Sequence, residues 1–577
     1  MMKPRRNDYL TEILLVLFLL LYFIILALFF TRPLLSHIYT HKVGHSGDSY
    51  YFMWIIGWFK QALFDLGQSP HHSHLLNHPY GFQLAQTEIS PLQAILALPF
   101  VLNSDSPVFG YNMVMLSTFI LSGITMFYWV RELTGSFQAS VVASTAYALL
   151  PYRIAHMLAG HLNLAAIQWF PLFFWGFLAT LQDNQFSWKN VVLLAAGLTG
   201  IALTSQYYLF MTFFVCLIVV LIELIKTQFR LGWNCLKQWF IAGTISLPSL
   251  IIGIWPYYVV HSGGGTERPF MDVMIYSASI TDYFIPFSKS AFFGDLVNLY
   301  FQRNFWTEST LYLGIVVLIL AGYALIAERK KQPGSIVQRL AMISLTAFVL
   351  SLGTNLTWME QPLWISTPQW LQGVIQKESF LVFLPGYFLY EFVPFFNLMR
   401  VWMRYGVILM VMLCVLAGYG THILVQKIKP ASRNIIAFFI VALIVIDFST
   451  TPLALEEVKP RKVDYWLANQ VPGGQVQLPL VHSFEQRPIY YTLVNQKPLL
   501  GQMKTYPSNR YFLLEPVLRR FPDFESISIL RTEKVRYVLL DTDTIQIDPI
   551  LDSDYQSLDI QFAGVFDEIA VFIIPDS

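Results

Sequence analysis

Hydrophobic runs of membrane-crossing length recur along this chain, separated by short polar turns or by long aromatic connections. The first, Leu10 to Phe30, suffices to cross a bilayer, since about 20 apolar residues span the hydrocarbon core. Further runs lie at about 107–130, 136–151, 161–182, 190–205, 207–226, 238–260, 310–328, 338–353, 405–425 and 434–451. Together they predict a mainly α, polytopic transmembrane bundle of about eleven helices. A long connection, 31–106, follows the first run. Its pattern predicts an amphipathic aromatic helix at about 49–64, lying along a membrane surface. It also predicts a short apolar helix, Ile89–Val101, that does not span comfortably.

From about Pro452 the hydrophobicity falls and strand-like runs appear at Gln475–Pro479, Val535–Asp541 and Ile569–Pro575. A helical stretch runs from about Ser508 to Arg520, and a Pro-Gly-Gly turn at 472–474 precedes the first strand. The expected organisation is a transmembrane domain over 1–451 and a small α/β domain over 452–577, large enough for one core.

Charge sets the expected orientation. Lys3, Arg5 and Arg6 precede the first run, which is too long for a signal-peptide core and has no small-residue cleavage site after it. Arg131; Lys189; Lys226, Arg230 and Lys237; Arg329, Lys330, Lys331 and Arg339; and Lys427, Lys429 and Arg433 then fall in alternate, cytoplasmic connections. Counting Ile89–Val101 as a span would turn the 328–331 cluster outward, against that bias. The expectation is a multi-pass protein of the plasma (inner) membrane with a cytoplasmic N-terminus. The connections 31–106, 260–309 and 354–404 and the C-terminal domain are extracytoplasmic. Composition agrees: 55% of residues are hydrophobic and 13% charged, roughly half the charge of a soluble protein. A net charge of +1 without a long basic block argues against nucleic acid as a partner. Three cysteines give no disulfide framework and no cysteine metal site.

Candidate chemistry gathers in four stretches of the outer face. In Gly44-His45-Ser46-Gly47-Asp48-Ser49-Tyr50-Tyr51 the one carboxylate is Asp48. It is either a base at the membrane–water boundary or the cap of the helix beginning near Ser49, and the glycines let the backbone bend close to a ligand. Glu88 follows His78-Pro79-Tyr80-Gly81 and Thr87. It reads as a helix N-terminal charge or as a second carboxylate that positions an acceptor or shares a cation. Tyr152, Arg153, His156, His161, Asn163 and Gln168 form the third group. Polar residues at such depth usually face a cavity, and the Arg153 fork suits a phosphate. Arg400 and Arg404 are four apart, a spacing that shares one helix face, and they oppose the positive-inside bias. An anionic ligand such as a lipid phosphate would account for them, as would headgroup binding.

Other signals carry less. His71-His72-Ser73-His74 could bind zinc, but no His-Glu-x-x-His spacing occurs and carboxylate partners are sparse, so no cofactor is expected and a divalent metal is the lesser alternative. Gly263-Gly264-Gly265 lacks a following Lys-Ser/Thr and is not a phosphate loop. Asn355-Leu356-Thr357 is a glycosylation sequon of a kind that often arises by chance.

Several stretches in this order carry a resemblance: Gly47-Asp48 with its aromatic helix, Pro79-Tyr80-Gly81 before Thr87-Glu88, and Pro151-Tyr152-Arg153 with His161-Leu162 and Gln168-Trp169-Phe170-Pro171. Met399-Arg400-Val401-Trp402-Met403-Arg404 and Tyr465-Trp466-Leu467 to Leu478-Pro479 complete it. Over most of its length the chain resembles the GT-C superfamily of membrane glycosyltransferases, in particular a bacterial multispanning subgroup. The resemblance implies inverting transfer of a sugar from a polyprenyl-phosphate donor to a glycan, lipid or protein acceptor. It also implies Asp48 as general base, with Arg153, Arg400 or Arg404 facing the donor phosphate. Asp48 is followed by Ser49 rather than by a second acid, which departs from a paired-acid or metal-dependent pattern. Two other readings compete: a transporter or flippase of a lipid-linked glycan, and a non-catalytic membrane scaffold. Mostly apolar mid-span positions favour surface chemistry over passage.

Overall fold

Helix α1 (Arg6–Phe30) leads into α2 (Asp48–Lys60), α3 (Pro91–Ser104), α4 (Pro107–Thr134), α5 (Phe137–Ala148) and α6 (Pro151–Leu158). Local chemistry sets their starts. Ser106 and Ser136 accept from the amides of Phe109 and Ala139 and so cap α4 and α5. Pro91, Pro107 and Pro151 stand at first positions, where a missing N–H costs nothing. The computed structural model describes all residues except 1–5, 183–184, 227, 229–231, 262–267, 304, 330–333, 371–377, 481–485, 502–508, 554 and 576–577. The 263–265 glycine run and Lys3, Arg5, Arg230, Lys330 and Lys331 lie outside the described residues.

Six described helices are long and apolar enough to cross a bilayer, as a multi-pass membrane protein requires: Leu10–Phe30, Pro107–Thr134, Gln206–Lys226, Trp233–Trp255, Trp402–Gln426 and Pro430–Phe448. Shorter helices stand at the other expected spans. They have 12 residues in α5, 14 in Trp169–Gln182, 17 in Trp188–Thr204, 14 in Ile315–Glu328 and 16 in Ile336–Ser351. The span expected at 161–182 is broken: a turn at Leu162–Ala165 gives way to non-helical backbone at 166–168 before the helix resumes at Trp169. Irregular backbone at membrane depth is tolerated where protein buries it, and residues 162–168 are all buried. The run expected at 238–260 begins earlier, at Trp233, so Cys235 lies within the helix Trp233–His261.

Helix α2 corrects the surface-helix expectation. Every residue from Ser49 to Phe59 is buried by protein. Trp54 donates its indole N–H to Thr492 Oγ1 (3.0 Å), Trp58 donates to the Pro70 carbonyl (2.8 Å), and Tyr50 meets the Tyr490 ring edge-on. Aromatics with a polar tip suit a membrane interface and also suit a core that offers the tip a partner. Here the partners come from the C-terminal domain and from the chain just after α2.

That domain holds a four-stranded sheet ordered Gln561–Phe566, Ile569–Ile573, Val535–Asp541, Gly474–Leu478. The last pair is parallel and the other two are antiparallel. Strand Val535–Asp541 alternates its side chains between two faces. Val538 and Leu540 join the core under helices Asn509–Leu518 and Phe524–Thr532, while Tyr537 and Leu539 pack beside Val463 and Leu467 on the other side. The expected strands are present, and Gln561–Phe566 is an addition.

The domain is joined to the 31–106 connection along a continuous seam. Strand His41–Val43 pairs antiparallel with Leu455–Glu457, and Leu76 bridges to Leu499, which bridges in turn to Gln475 of the sheet. His78 donates to the Lys534 carbonyl (2.9 Å). Asn355, of the glycosylation sequon, is buried, so the folded chain does not present it to a transferase.

Candidate active site

The site begins with Gly160. Helix α6 starts at Pro151 and ends in a left-handed turn, with Gly160 at φ +80°. The amides of His161 and Gly160 return to the carbonyls of His156 (2.9 Å) and Met157 (3.0 Å). This pair of bonds is the Schellman ending, which folds the chain back on the last helical turn. It brings His161 to His156, and their Nδ1 atoms share a hydrogen bond of 2.8 Å.

A second loop presses against this turn. A Cβ on Gly44 would stand 2.0 Å from the Leu158 carbonyl oxygen, and one on Gly160 would stand 2.3 Å from the Ser49 nitrogen. The glycines before Asp48 therefore bend the chain close to its own 158–160 turn, where the sequence suggested a ligand. Glu456, from the C-terminal segment, fastens the same loop. It accepts from Lys42 Nζ (2.8 Å), Ser46 Oγ (2.9 Å) and Tyr50 Oη (2.9 Å).

Asp48 is the first residue of α2. The N-cap position belongs to Gly47, so Asp48 does not cap the helix but places its charge in the first turn. Its Oδ1 accepts from Gln486 Nε2 (3.0 Å), and its Oδ2 stands 3.3 Å from His161 Nε2. From there a chain of contacts runs inward. His161 bonds to His156, whose Nε2 lies 3.9 Å from Glu308 Oε2. Glu308 accepts from Arg404, whose Nε reaches both oxygens at 3.2 and 3.1 Å. The Arg404 guanidinium stacks over the Tyr207 ring, 4.6 Å from its centroid.

Burial sets the charge states. It lowers His156 far below the ordinary histidine value, and it lowers His161 against the attraction of Asp48 and Glu308. Both rings are therefore neutral near pH 7. Burial alone would raise Glu308, but the Arg404 charge outweighs it and holds the carboxyl below the usual range. For Glu88 burial wins over Ser205, Arg404 and Asn163, so this acid is raised towards its neutral form.

The remaining residues singled out from the sequence divide. Asn163 donates to Glu88 Oε2 (2.5 Å), and Glu88 is half-buried beside it. The Tyr152 ring meets His156 edge-on, and its hydroxyl pairs with Tyr208 Oη (3.0 Å). Both amide atoms of Gln168 are buried without a hydrogen-bond partner among the described residues. Arg153 is turned to α4. It donates to Thr118 Oγ1 (3.3 Å) and Ser122 Oγ, lies over the Phe119 ring, and has no ion pair among the described residues. Arg400 and Arg404 do not share a helical face, because residues 399–401 are irregular and Trp402–Tyr405 is a 3-10 turn. Arg404 is committed to Glu308. Arg400 lies over Tyr276 (4.9 Å), has no carboxylate partner among the described residues, and is close enough to act on His161.

His156, His161 and Glu308 bring ligand-type atoms within 4.8 Å of one another. They suit a divalent ion poorly. Both Glu308 oxygens are taken by Arg404, the two Nδ1 atoms are taken by each other, and an added dication would face a buried guanidinium. The first-loop histidines 71–74 form no such group among the described residues.

Glu308 and Gln486 were not legible as site residues. Each is an isolated polar residue whose partners lie far away in sequence. The ending of α6 did leave a signal, with proline at its start and glycine just past its end.

Solved structures share this architecture. Arabinofuranosyltransferase AftD from mycobacteria superposes with a TM-score of 0.57 at 13% identity, covering 97% of this chain and 40% of AftD. An oligosaccharyltransferase from Archaeoglobus fulgidus gives 0.52 at 12%, covering 92% of this chain and 70% of the archaeal enzyme. AglB from the same organism, in complex with an inhibitory peptide and a dolichol-phosphate, gives 0.52 at 11%, covering 92% and 69%. The chain thus spans less than half of AftD. No curated protein matches its sequence. The fold is that of the GT-C glycosyltransferases, a helical membrane bundle joined to a smaller mixed domain. By its sequence over residues 15–422, the chain belongs to the family described as Domain of unknown function (DUF6311).

Proposed function

We propose that this chain is a membrane glycosyltransferase. It moves a sugar from a polyprenyl-phosphate donor to an extracytoplasmic acceptor, with inversion, and Asp48 is the general base. The observation that supports this most is the state of Asp48. It is 38% exposed at the head of a buried helix, held from two sides, and its chain of contacts ends in a buried ion pair. A carboxylate so held keeps one orientation and still meets solvent and substrate.

In the reaction an acceptor hydroxyl gives its proton to Asp48 as its oxygen attacks the anomeric carbon of the donor. The bond from that carbon to the phosphate oxygen breaks, and the lipid phosphate leaves as an anion. Arg400 meets this developing charge, because Arg404 is spent on Glu308. The dolichol-phosphate held by AglB, which shares the fold, supports a polyprenyl carrier.

The test is transfer by purified protein from a panel of polyprenyl-phosphate sugars, wild type beside Asp48→Asn. Transfer that collapses in Asp48→Asn, with folding and donor binding intact, supports the assignment. Unchanged transfer removes Asp48 from the mechanism.

A further inference from the structure

Two neutral imidazoles carry two N–H protons between four nitrogens. In the His156–His161 pair one proton must lie in the Nδ1–Nδ1 bond, which leaves one for the two outer Nε2 atoms. Each outer nitrogen faces a carboxylate, Asp48 Oδ2 at 3.3 Å and Glu308 Oε2 at 3.9 Å. The neutral pair therefore has three places for protons and two protons to fill them. Among the described residues His156 Nε2 is fully buried without a hydrogen-bond partner, and the carboxylate it faces is Glu308.

We propose that the His156–His161 pair is a one-proton store that clears Asp48 during transfer; this rests on Asp48 being the base. In the receptive tautomer His156 Nε2–H points at Glu308, His161 Nδ1–H donates to His156, and His161 Nε2 is empty towards Asp48. The acceptor O–H bond breaks and an O–H bond forms on Asp48. That proton then moves from Asp48 Oδ2 to His161 Nε2, which restores the carboxylate and leaves a singly charged pair between two carboxylates. It returns to solvent through the exposed edge of Asp48 after the products leave, so no co-reactant is needed.

The groups around the pair carry no net charge of their own. Asp48 faces the pair from α2, Glu308 from its short turn, and Arg404 and Arg400 from the 400–405 segment, while the Tyr152 ring lies against His156. Two acids and two arginines sum to zero charge around a neutral pair. A donor phosphate beside Arg400 would add the negative charge that a third proton calls for. His161 and His156 act through Asp48 and do not touch the substrate, so they are positioning residues with a proton-carrying role.

The experiment compares wild type, Asp48→Asn, His161→Ala and His161→Gln in the same transfer assay, with and without added imidazoles of graded basicity. The expected result is a fall of about tenfold or more in kcat for both His161 variants at unchanged donor KM. Imidazole should restore His161→Ala at rates that follow its basicity. Loss in Asp48→Asn with wild-type kcat in His161→Gln would overturn the store alone. So would a folded, donor-binding His161→Ala that no imidazole rescues. Full activity of Asp48→Asn would overturn the base and the store together. A readout independent of transfer is the nitrogen NMR spectrum of histidine-labelled protein. A shared-proton resonance should be present in wild type and lost in His161→Gln, and its absence from wild type would refute the proposal.

Discussion

The backbone nitrogen of Ser49 lies 2.3 Å from where a Cβ on Gly160 would be. The 44–49 loop and the end of α6 thus meet at backbone contact, and Gly160 also carries a positive φ. Gly160→Ala should cost about 1–2 kcal/mol from the left-handed backbone alone, with more from the clash. It should also part His161 from Asp48. Thermal melting and transfer rate should both fall, whereas Gly135→Ala, at a similar φ with open space around it, should lower melting only.

The two arginines of the 400–404 segment should separate in their effects. Arg404→Gln leaves Glu308 buried without its partner, a loss on the order of 3–5 kcal/mol that melting would reveal. Arg400→Gln breaks no ion pair among the described residues and should leave melting nearly unchanged. Its expected effect is a rise in donor KM of tenfold or more, read with a polyprenyl-phosphate sugar.

Acid should destabilise the chain earlier than its carboxylates would suggest. Burial lowers the folded pKa of both His156 and His161, so below the unfolded value of about 6.5 the unfolded chain binds more protons. Stability is then lost as pH falls through that value, at up to about 1.4 kcal/mol per unit for each ring. Melting between pH 7.5 and 5.5 should show this slope, and His156→Gln should flatten it.

Docking of the C-terminal domain should depend on Trp54. Its ring is fully buried and its N–H ends on Thr492. Trp54→Ala should cost about 3–5 kcal/mol and loosen the seam. Limited proteolysis would show this as faster cleavage between the bundle and the sheet.

The chain disclosed its spans because long apolar runs have few other uses, and three of the four sheet strands because their residues suit a pleated core. The fourth strand was obscured by Gly564 in a six-residue run. Helix α2 was misread for a physical reason: Tyr50, Trp54 and Trp58 suit a bilayer interface as well as they suit a core, and their partners lie elsewhere in the chain. Asp48, His156 and His161 were legible because rare polar residues stand out among apolar ones. Glu308 was not, because an acid is ordinary in a polar connection until its arginine is known. Arg400 and Arg404 were legible as charges but not as roles, since only the folded chain shows that one of them is already paired.

Gln486 meets Asp48 across 438 residues of sequence. Synthesis makes the carboxylate's loop near the start and its amide partner only after every helix of the bundle has been made. A nascent chain can therefore insert all its spans and still lack the group that orients its acid. If Asp48 is the base as proposed, competence arrives late in translation, when the C-terminal segment folds back onto a loop already waiting beside the bundle.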